Sequence, residues 1–511
     1  MAILSLLLAG LVVYYASWVV YARWFHPYSK YPGPFLASIS RFWAARGMAN
    51  GTHDKSLKKL HDMYGPIIRI APDEVDILDP SAIKTVYGAG TKFVKTDFYM
   101  AWHAPWARHP EHFCATDPTT HGARRRLVSH IYSMTNISRF EQGIDNCTSL
   151  MLSRFRQLAS SSSSSGAEVT VDLSVWLRWY AFDVVGELFF ARHFGFLEKS
   201  EDHGGWIGAT DLLVPYLAIS SVLAPWMRPL LMIAGISLPW VRKGARAVAT
   251  IEKVCDECIG AREKERKLEE KGSASGKDDL LAMFFRVVET TGDPDWFGPL
   301  EVKGEIYAAI GAGSDTTAIA MTSILYHLLK NPTAYRKLRD EIDAATRAGK
   351  LSEPFIRYNE ASKLRYLDAV CKEGMRIHAS IGYGLPRHVP PQGAHIAGEW
   401  FPGGYRVAVS PCLIQHDKSV FGEDADRFHP ERWLGNDASN MDRHMLEFGA
   451  GAHLCLGKNI SLSEIYKIIP ELIRAFDLEL VEPEQDWTTK NTWFYKVENV
   501  NVKITPREKQ R

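Results

Sequence analysis

The pattern of hydrophobic and polar positions predicts a chain built mainly of α-helices. Three long stretches place apolar residues at helical spacing, and they cover residues 251–270, 304–332 and 458–476. Strand-like runs are short and few, and they cover residues 67–72, 74–79 and 405–411. A serine run at 160–165 and a polar segment at 272–279 are predicted to form exposed loops. The expected fold class is therefore mainly α with a small β region.

The amino-terminal 22 residues carry no charge and are apolar almost throughout. As a helix rising about 1.5 Å per residue, residues 1–22 have the length needed to cross the hydrocarbon core of a bilayer. A cleaved signal peptide is the alternative, but no basic residue precedes the apolar run. Arg23, His26 and Lys30 follow it, and positive flanking residues tend to stay in the cytosol. We therefore expect a single-pass anchor with a cytosolic body.

The residues after this anchor divide into two parts. Residues 23–36 contain three prolines, which disfavour helix and stiffen the chain, so this segment is either a simple loop or a stiff hinge. Residues 37–511 show no internal repeat and no obvious interdomain linker, and we expect one large catalytic domain there.

Composition excludes some classes of function. The chain has 60 basic and 59 acidic residues, a net charge of +1, so it lacks the overall positive field that would hold nucleic acid. Seven cysteines scattered over 511 residues argue against a disulfide framework and favour a reducing compartment.

One of these cysteines lies in an unusual context, the stretch FGAGAHLCLG at residues 448–457. A lone cysteine among apolar residues is usually a small buried hydrophobic side chain. The glycines around it, Gly449, Gly451 and Gly457, instead favour a backbone that approaches something large and flat. A single thiolate on such a loop, followed by a helix, fits an axial ligand, and Cys455 is the candidate ligand of heme iron.

This stretch contains the motif F-x-x-G-x-x-x-C-x-G, in which the fixed positions are Phe448, Gly451, Cys455 and Gly457. The motif resembles the heme-binding signature of the cytochrome P-450 superfamily of heme-thiolate monooxygenases. In this resemblance Phe448 and Gly449 belong to the loop that holds the heme. Independent matches elsewhere in the chain, in the family's order, strengthen it.

The first further match is AGSDTT at residues 312–317, inside the long apolar helix. A buried acid is costly without partners or a function, so Asp315 is either a structural ion-pair member or a functional group. Thr316 has a similar alternative, a hydrogen bond back to its own helix. In the family this pair lies on the oxygen side of the heme, and the resemblance implies that Asp315 and Thr316 deliver protons to bound dioxygen.

The second match is E-x-x-R, Glu373 and Arg376, which lie on one face of a predicted helix and are able to form an ion pair. The motif FHPERW at residues 428–433 supplies Arg432. By resemblance, these three side chains form a buried structural network behind the heme and do not contact substrate.

The third match concerns the heme propionates. In HGARRRL, His121 and Arg125 lie one helical turn apart and are expected to contact propionate carboxylates, whereas Arg124 and Arg126 are expected on an exposed basic face. Arg387 and His453 match two other propionate-binding positions of the family. The usual residue at the second of these is arginine, so the charge of His453 is an open question.

The resemblance runs from the anchor to the cysteine loop and implies a full set of cofactors and partners. These are heme b, dioxygen, and electrons from NADPH through a separate flavoprotein reductase, with cytochrome b5 as an additional donor. The enzyme is expected in the endoplasmic reticulum membrane with its catalytic domain facing the cytosol. No nucleic-acid partner is expected.

Three regions match the family's substrate-contacting segments in position, residues 97–113, 210–231 and 491–496, and all are rich in apolar or aromatic residues. They indicate a pocket for a lipophilic small molecule. Several motifs are similar to those of fungal relatives such as pisatin demethylase and benzoate para-hydroxylase, which favours secondary-metabolite biosynthesis by analogy. The alternatives are a detoxifying hydroxylase or demethylase of aromatic compounds, a reductase-independent heme-thiolate isomerase or dehydratase, and a non-catalytic heme sensor.

Overall fold

The computed structural model describes residues 1–104, 106–163, 168–269 and 278–507 of the chain. Helices dominate these residues and the strands are short, which confirms the expected fold class. The α-helices are α1 (Ala2–Val20), α2 (Phe35–Ile39), α3 (Phe42–Asn50), α4 (His53–Tyr64), α5 (Pro80–Tyr87), α6 (Pro118–Val128), α7 (Met134–Arg139), α8 (Glu141–Ser163), α9 (Leu173–Phe190), α10 (Phe196–Lys199), α11 (Trp206–Val222), α12 (Arg228–Ile236), α13 (Pro239–Glu269), α14 (Leu280–Thr291), α15 (Pro299–Leu329), α16 (Pro332–Arg347), α17 (Tyr358–Ala361), α18 (Arg365–Ile377), α19 (Pro411–Ile414), α20 (Lys418–Phe421), α21 (Ala438–His444) and α22 (Lys458–Ala475).

The strands form small sheets rather than one large one. They are β1 (Ile67–Ala71), β2 (Glu74–Ile77), β3 (Val94–Lys95), β4 (Thr170–Asp172), β5 (Arg387–His388), β6 (Ala394–Ile396), β7 (Glu399–Phe401), β8 (Arg406–Ala408), β9 (Phe476–Leu480), β10 (Thr488–Thr492), β11 (Phe494–Glu498) and β12 (Asn501–Pro506). The largest sheet has the order β1-β2-β8-β5-β3, with β2 parallel to β8 and its other pairs antiparallel. The remaining strands pair as β4-β12-β9, β10-β11 and β6-β7.

Helix α15 lies at the centre of the main hydrophobic core. Its middle and carboxyl-terminal parts are almost continuously buried, and it packs against α9, α18 and α22. Helix α9 is buried over most of its length as well. Such helices are apolar on most sides because most of their surface packs against other elements. Any polar side chain they carry must therefore find a partner inside the protein.

The amino-terminal helix stands apart from this core. Helix α1 continues into the π-helical turn Tyr21–Phe25, and together they form an apolar span of 24 residues. In the most apolar 18-residue stretch of this span, no residue is buried inside the protein. A second helical span, His203–Val222, passes the same length and composition test, but 44% of its window is buried inside the protein. The first span is consistent with the expected membrane anchor.

The proline-containing segment after the anchor packs on the small sheets. Tyr28 is fully buried, and the ring of Tyr31 stacks on Phe401 of β7 with a centroid distance of 5.4 Å. Lys30 forms an ion pair of 2.7 Å with Glu399, and Arg69 of β1 donates its backbone N–H to the carbonyl of Pro32 at 2.7 Å. The segment is therefore fixed to the body of the protein.

One loop prediction is wrong in part. Helix α8 extends to Ser163, so the first four residues of the serine run continue a helix instead of forming a loop. The physical reason is that α8 is already nucleated and packed over its preceding turns, and serine costs little at an exposed helix end. Two parts of the predicted loops lie outside the described residues: residues 164–165 of the serine run and residues 272–277 of the polar segment.

Candidate functional site

The candidate site is organised around a loop that leads into the amino terminus of α22. Gly449 and Gly451 adopt left-handed φ angles of 69° and 59°, which other residues rarely adopt. A Cβ atom at Gly451 would lie 2.1 Å from the carbonyl oxygen of Tyr87. The backbone N–H of Cys455 donates to the carbonyl of Phe448 at 2.8 Å and closes the loop. The glycines are therefore required by the shape of the loop.

Cys455 differs from every other cysteine of the chain in its exposure. Six cysteines are buried, whereas Cys455 is exposed, and none of the seven forms a disulfide. The surrounding protein raises the pKa of the Cys455 thiol by desolvation, while the backbone N–H groups of Gly457 and Lys458 at the start of α22 oppose this shift. A sulfur that is accessible and faces amide N–H groups has the chemistry of a thiolate ligand.

Cations gather near this loop without carboxylate partners. Among the described residues, no ion pair to a carboxylate is made by Lys95, Arg125 or Arg387, although Lys95 and Arg387 are buried. Lys95 donates to the backbone carbonyls of His112 and Phe113 at 3.0 and 2.7 Å, and Nε of Arg387 is buried with no hydrogen-bond partner. Desolvation and the Arg387 charge lower the pKa of Lys95 to about 7. Buried cations that lack an anion fit a negatively charged group bound beside them.

Two histidines lie in the same cluster and are neutral. The rings of His121 and His453 are 4.2 Å apart between centroids. Burial and then the positive charge of Lys95 lower the pKa of His121 to about 3. Burial and then the positive charge of Arg387 lower the pKa of His453 to about 2. Nδ1 of His453 is buried and has no hydrogen-bond partner. The structure thus places the predicted residues His121, Arg125, Arg387 and His453 in one cluster, and burial together with the positive charges of that cluster favours the neutral form of His453.

The expectation for Arg124 is wrong. Its side chain is fully buried instead of lying on an exposed basic face, and its Nη2 donates to the carbonyl of Trp296 at 2.9 Å. The guanidinium also lies 4.8 Å from the centroid of the Trp296 ring, a cation–π contact. Segment 293–298 covers this side of α6, which helical spacing in α6 alone did not indicate. Arg126 is exposed as expected.

Asp315 and Thr316 of α15 face different surroundings. Thr316 is half-buried, and its hydroxyl donates to the carbonyl of Ala312, an exposed residue one turn earlier, at 2.7 Å. Asp315 is only 1% exposed, and its carboxylate accepts a 2.8 Å hydrogen bond from Nε of Arg178 on α9. Lys496 of β11 lies 3.3 Å from the other oxygen. Both local alternatives, a helix back-bond for Thr316 and an ion pair for Asp315, are therefore present.

The partners of Asp315 extend to a helix that the motifs did not connect with it. Arg178 also donates to both carboxylate oxygens of Asp211 on α11, at 2.8 and 3.1 Å, and Lys496 contacts Asp211 as well. Two acids and two bases thus form one cluster joining α9, α11, α15 and β11. No local sequence signal pairs these four residues, because they come from four separate segments.

Glu373, Arg376 and Arg432 form one buried group. Arg376 binds both oxygens of Glu373, at 2.8 and 2.9 Å, and Arg432 donates to Oε1 at 3.0 Å. The backbone N–H of His429 and the indole N–H of Trp433 complete the carboxylate's hydrogen bonds at 2.8 and 2.9 Å. These charges hold the pKa of Glu373 below its usual value against the desolvation that raises it.

A glutamine that the motifs did not mark connects this network to the cysteine loop. The carbonyl of Gln415 accepts Nη1 of Arg376 at 2.8 Å. The Gln415 side chain donates to the carbonyls of Met375 and Arg376, and its oxygen accepts the N–H of Leu446, two residues before Phe448, at 3.0 Å. The network therefore fixes the start of the loop by direct hydrogen bonds.

Two of the three predicted substrate-contacting regions, the first and the third, form an aromatic cluster, and the second region packs beside them. Trp493, at the turn between β10 and β11, stacks on Phe98 at 4.7 Å and packs edge-on against Trp102 at 4.6 Å. Trp493 has a φ of 87°, an uncommon conformation for a large residue. Helix α11 contacts the segment that contains Phe98 and also contacts β10. Residue 105 of the first region lies outside the described residues.

A profile of the cytochrome P450 family matches residues 31–505. The cytochrome P450 monooxygenase gsfF of Penicillium aethiopicum is 39% identical over 99% of this chain and 100% of its own length. Pisatin demethylase of Fusarium vanettenii is 33% identical over 99% of this chain and 96% of its length. The cytochrome P450 monooxygenase cicH of Emericella nidulans is 34% identical over 94% of each.

Proposed function

Because this chain belongs to the cytochrome P450 family and is a P450 monooxygenase, we propose that it oxidises a lipophilic small molecule in fungal secondary-metabolite biosynthesis. The proposed organisation is a membrane anchor at 1–22, a hinge at 23–36 and a catalytic domain at 37–511. The proposed electron donor is NADPH through a separate membrane-bound flavoprotein reductase, with cytochrome b5 as an additional donor. The proposed location is the endoplasmic reticulum membrane, with the catalytic domain facing the cytosol.

The observation that carries the proposal is the accessible Cys455 beside the buried cations Lys95 and Arg387, for which the described part of the chain offers no carboxylate partner. The family implies a heme-thiolate cofactor, and these residues fit one: Cys455 as the iron ligand, and Arg125, Arg387, His121 and His453 as contacts to its carboxylates. Phe448 and Gly449 supply the loop against which its ring would lie. When bound, the heme supplies the iron at which dioxygen is reduced and the substrate oxidised.

The chain's own contribution to the reaction is to hold protons and exclude water. In the proposed roles, Thr316 presents a hydroxyl on the side of α15 that also exposes Ala312. Asp315 supplies a carboxylate to the proton path and is held in place by its ion pairs with Arg178 and Lys496. Glu373, Arg376 and Arg432 hold the cysteine loop in place through Gln415.

The aromatic cluster of Phe98, Trp102 and Trp493 favours a substrate with flat apolar surface. A detoxifying role on aromatic compounds is a second candidate. It is favoured by the similarity to a protein named pisatin demethylase, 33% identical over 99% of this chain.

The experiment that tests the proposal is the carbon monoxide difference spectrum of the reduced, membrane-expressed protein, because it reports the axial ligand of the iron. A strongly red-shifted Soret band that is lost in Cys455→Ala and kept in Cys412→Ala is the expected result. A heme spectrum without that shift in folded wild-type protein would exclude Cys455 as the ligand.

A second measurement separates the monooxygenase from the other heme-thiolate activities. NADPH consumption with reductase and a bound lipophilic substrate is expected for the monooxygenase. Turnover without NADPH would indicate an isomerase or dehydratase, and no turnover over a wide substrate panel would favour a heme sensor.

A further inference from the structure

Glu447 is a carboxyl group close to the cysteine loop that the proposed chemistry does not use. It immediately precedes Phe448. Its Oε2 accepts the backbone N–H of Ser380 at 3.1 Å, and its Oε1 lies 2.6 Å from the Ser380 hydroxyl oxygen. Ser380 is 3% exposed and follows the carboxyl end of α18. The pair therefore joins the start of the cysteine loop to the segment that follows the Glu373 network.

The Ser380 hydroxyl also reaches the oxygen-side helix. Its oxygen lies 3.0 Å from the backbone carbonyl of Thr316, the residue whose side chain is proposed to deliver protons. A serine hydroxyl has one hydrogen to donate. It can therefore serve either the Glu447 carboxylate or the Thr316 carbonyl at one time.

The protonation state of Glu447 decides between these two acceptors. When Glu447 is ionised, the Ser380 hydroxyl donates to its carboxylate, because a charged acceptor binds more strongly than a neutral one. When Glu447 has taken a proton from solvent, its own O–H donates to the Ser380 oxygen and the Ser380 hydroxyl donates to the Thr316 carbonyl. Desolvation raises the pKa of Glu447 to about 7, so both forms are populated near neutral pH.

We propose that Glu447 and Ser380 are positioning residues for Thr316, and that the proton on Glu447 sets whether the Thr316 backbone is held by the Ser380 hydroxyl. The inference rests on the proposed proton-delivery function of Thr316. Ser380 and Thr316 carry no charge. On the adjoining loop, the negative charge of Glu447 raises the pKa of one ionisable group, the Cys455 thiol.

The test compares three variants over a pH range from about 6 to about 8, one unit on each side of the Glu447 pKa. Glu447→Gln keeps a side-chain donor toward Ser380 at every pH and so imitates the protonated acid. Ser380→Ala removes the link. Ser323→Ala is the matched control, because the Ser323 hydroxyl of α15 donates to a backbone carbonyl, that of Gly374 in α18, at 2.7 Å and has no carboxylate partner among the described residues.

The first readout is product formed per NADPH consumed by the reconstituted holoenzyme. The wild type and Ser323→Ala are expected to lose coupling as the pH rises through about 7. The change should be roughly 2- to 10-fold, which corresponds to one neutral hydrogen bond. Glu447→Gln is expected to keep, at every pH, the high coupling that the wild type shows at low pH. Ser380→Ala is expected to keep, at every pH, the low coupling that the wild type shows at high pH. A pH inflection that persists unchanged in Ser380→Ala would overturn the proposal.

The second readout does not depend on turnover. An infrared difference titration of the holoprotein is expected to show a protonated-carboxyl band that disappears as the pH rises through about 7 and is missing in Glu447→Gln. Failure of that band to titrate in this range would overturn the inference even if the enzyme is active. Failure of the thiolate spectrum in the wild type would instead refute the proposed function, so the two failures are distinguishable.

Discussion

At the residue scale, adjacent positions of one helix face different surroundings. Consecutive residues of an α-helix are rotated by about 100° around its axis, so Asp315 and Thr316 cannot share one environment. Asp315 is turned toward Arg178 and Lys496, while Thr316 bonds back to Ala312. The acid is thus held among charges, and the alcohol is left on the partly open side of the helix.

Replacing Thr316 tests that separation. Thr316→Ala should consume NADPH but release peroxide, and product per NADPH should fall by up to about 10²-fold, the lower end of what a positioned proton donor contributes. Thr322→Ala is the control, since its hydroxyl makes the same back-bond to Ala318, at 2.7 Å, in a buried part of the same helix. The measurement is product and peroxide yield per NADPH. Full coupling in Thr316→Ala would remove this residue from the mechanism.

His453 lies in the cluster of Lys95, Arg125 and Arg387, whose charges favour its neutral form. His453→Arg should slow heme loss by roughly 10-fold, because an ion pair between a guanidinium and a carboxylate, with two hydrogen bonds, replaces a single hydrogen bond from an uncharged imidazole. Without heme, the same variant should be less stable, since a further cation joins Lys95, Arg125 and Arg387. Heme transfer to a scavenger protein measures the rate, and His395→Arg, at an exposed position of β6, is the control. Unchanged heme loss would contradict the assigned contact.

At the element scale, the ends of helices are joined by buried charges instead of by apolar packing alone. Helix α18 contributes Glu373 and Arg376, while the short 3-10 helix Pro430–Leu434 contributes Arg432. These three side chains are at most 7% exposed. Removing one member of such a group leaves a buried charge without a partner, which costs far more than the group contributes as a whole.

We therefore expect Glu373→Gln to lower the free energy of unfolding by about 3–5 kcal/mol. Glu431→Gln is the matched control, because Glu431 is in the same motif but its ion pair with Lys337 is largely exposed, where such pairs contribute about 0–1 kcal/mol. Denaturant unfolding of the holoprotein measures both. A loss in Glu373→Gln no larger than that in the control would contradict the assigned role.

The same side chain sets a pH dependence with a definite sign. The folded-state pKa of Glu373 lies below its usual value of 4.5. Its contribution to stability is therefore complete above the unfolded pKa and is lost as the pH falls through the folded one. The stability difference between wild type and Glu373→Gln should accordingly shrink in that acid window.

At the scale of the whole molecule, an exposed apolar face lies near the anchor. Trp226, Leu230, Ile233 and Ile236, on α12 and the turn before it, are 61–69% exposed. Trp18 of α1 donates to the carbonyl of Ile39, and Arg41 contacts the carbonyl of Val222, at the end of α11. Short connections thus place the anchor and this apolar face at neighbouring parts of the molecule, and exposed apolar side chains that lie close together are typical of a membrane or protein contact.

Deleting residues 1–22 should therefore weaken membrane association without abolishing it. Adding Ile233→Asp and Ile236→Asp to the deletion should release the protein into the soluble fraction, because each aspartate opposes burial in lipid. Sedimentation with vesicles measures both forms, and the carbon monoxide spectrum checks that the heme site is intact. Complete release by the deletion alone would show that α12 does not contact the membrane.

The sequence predicted much of the fold because its signals are local. Apolar periodicity located α15, α22 and the second half of α13, and strand-like runs located β1, β2 and β8. The glycine spacing around Cys455 predicted an unusual loop, and two of those glycines have left-handed φ angles. The serine run was misassigned in part because low-complexity composition does not reveal that a packed helix continues into it.

The sequence by itself determined the family, the mainly helical class and an apolar amino-terminal helix, because motifs and periodicity are properties of neighbouring residues. Only the tertiary structure decided which charges are paired. Asp315 meets Arg178, Asp211 and Lys496, Arg124 is covered by Trp296, and Glu447 reaches Thr316 through Ser380. These contacts join residues from separate segments, and burial, which makes them strong, arises only when the helices pack.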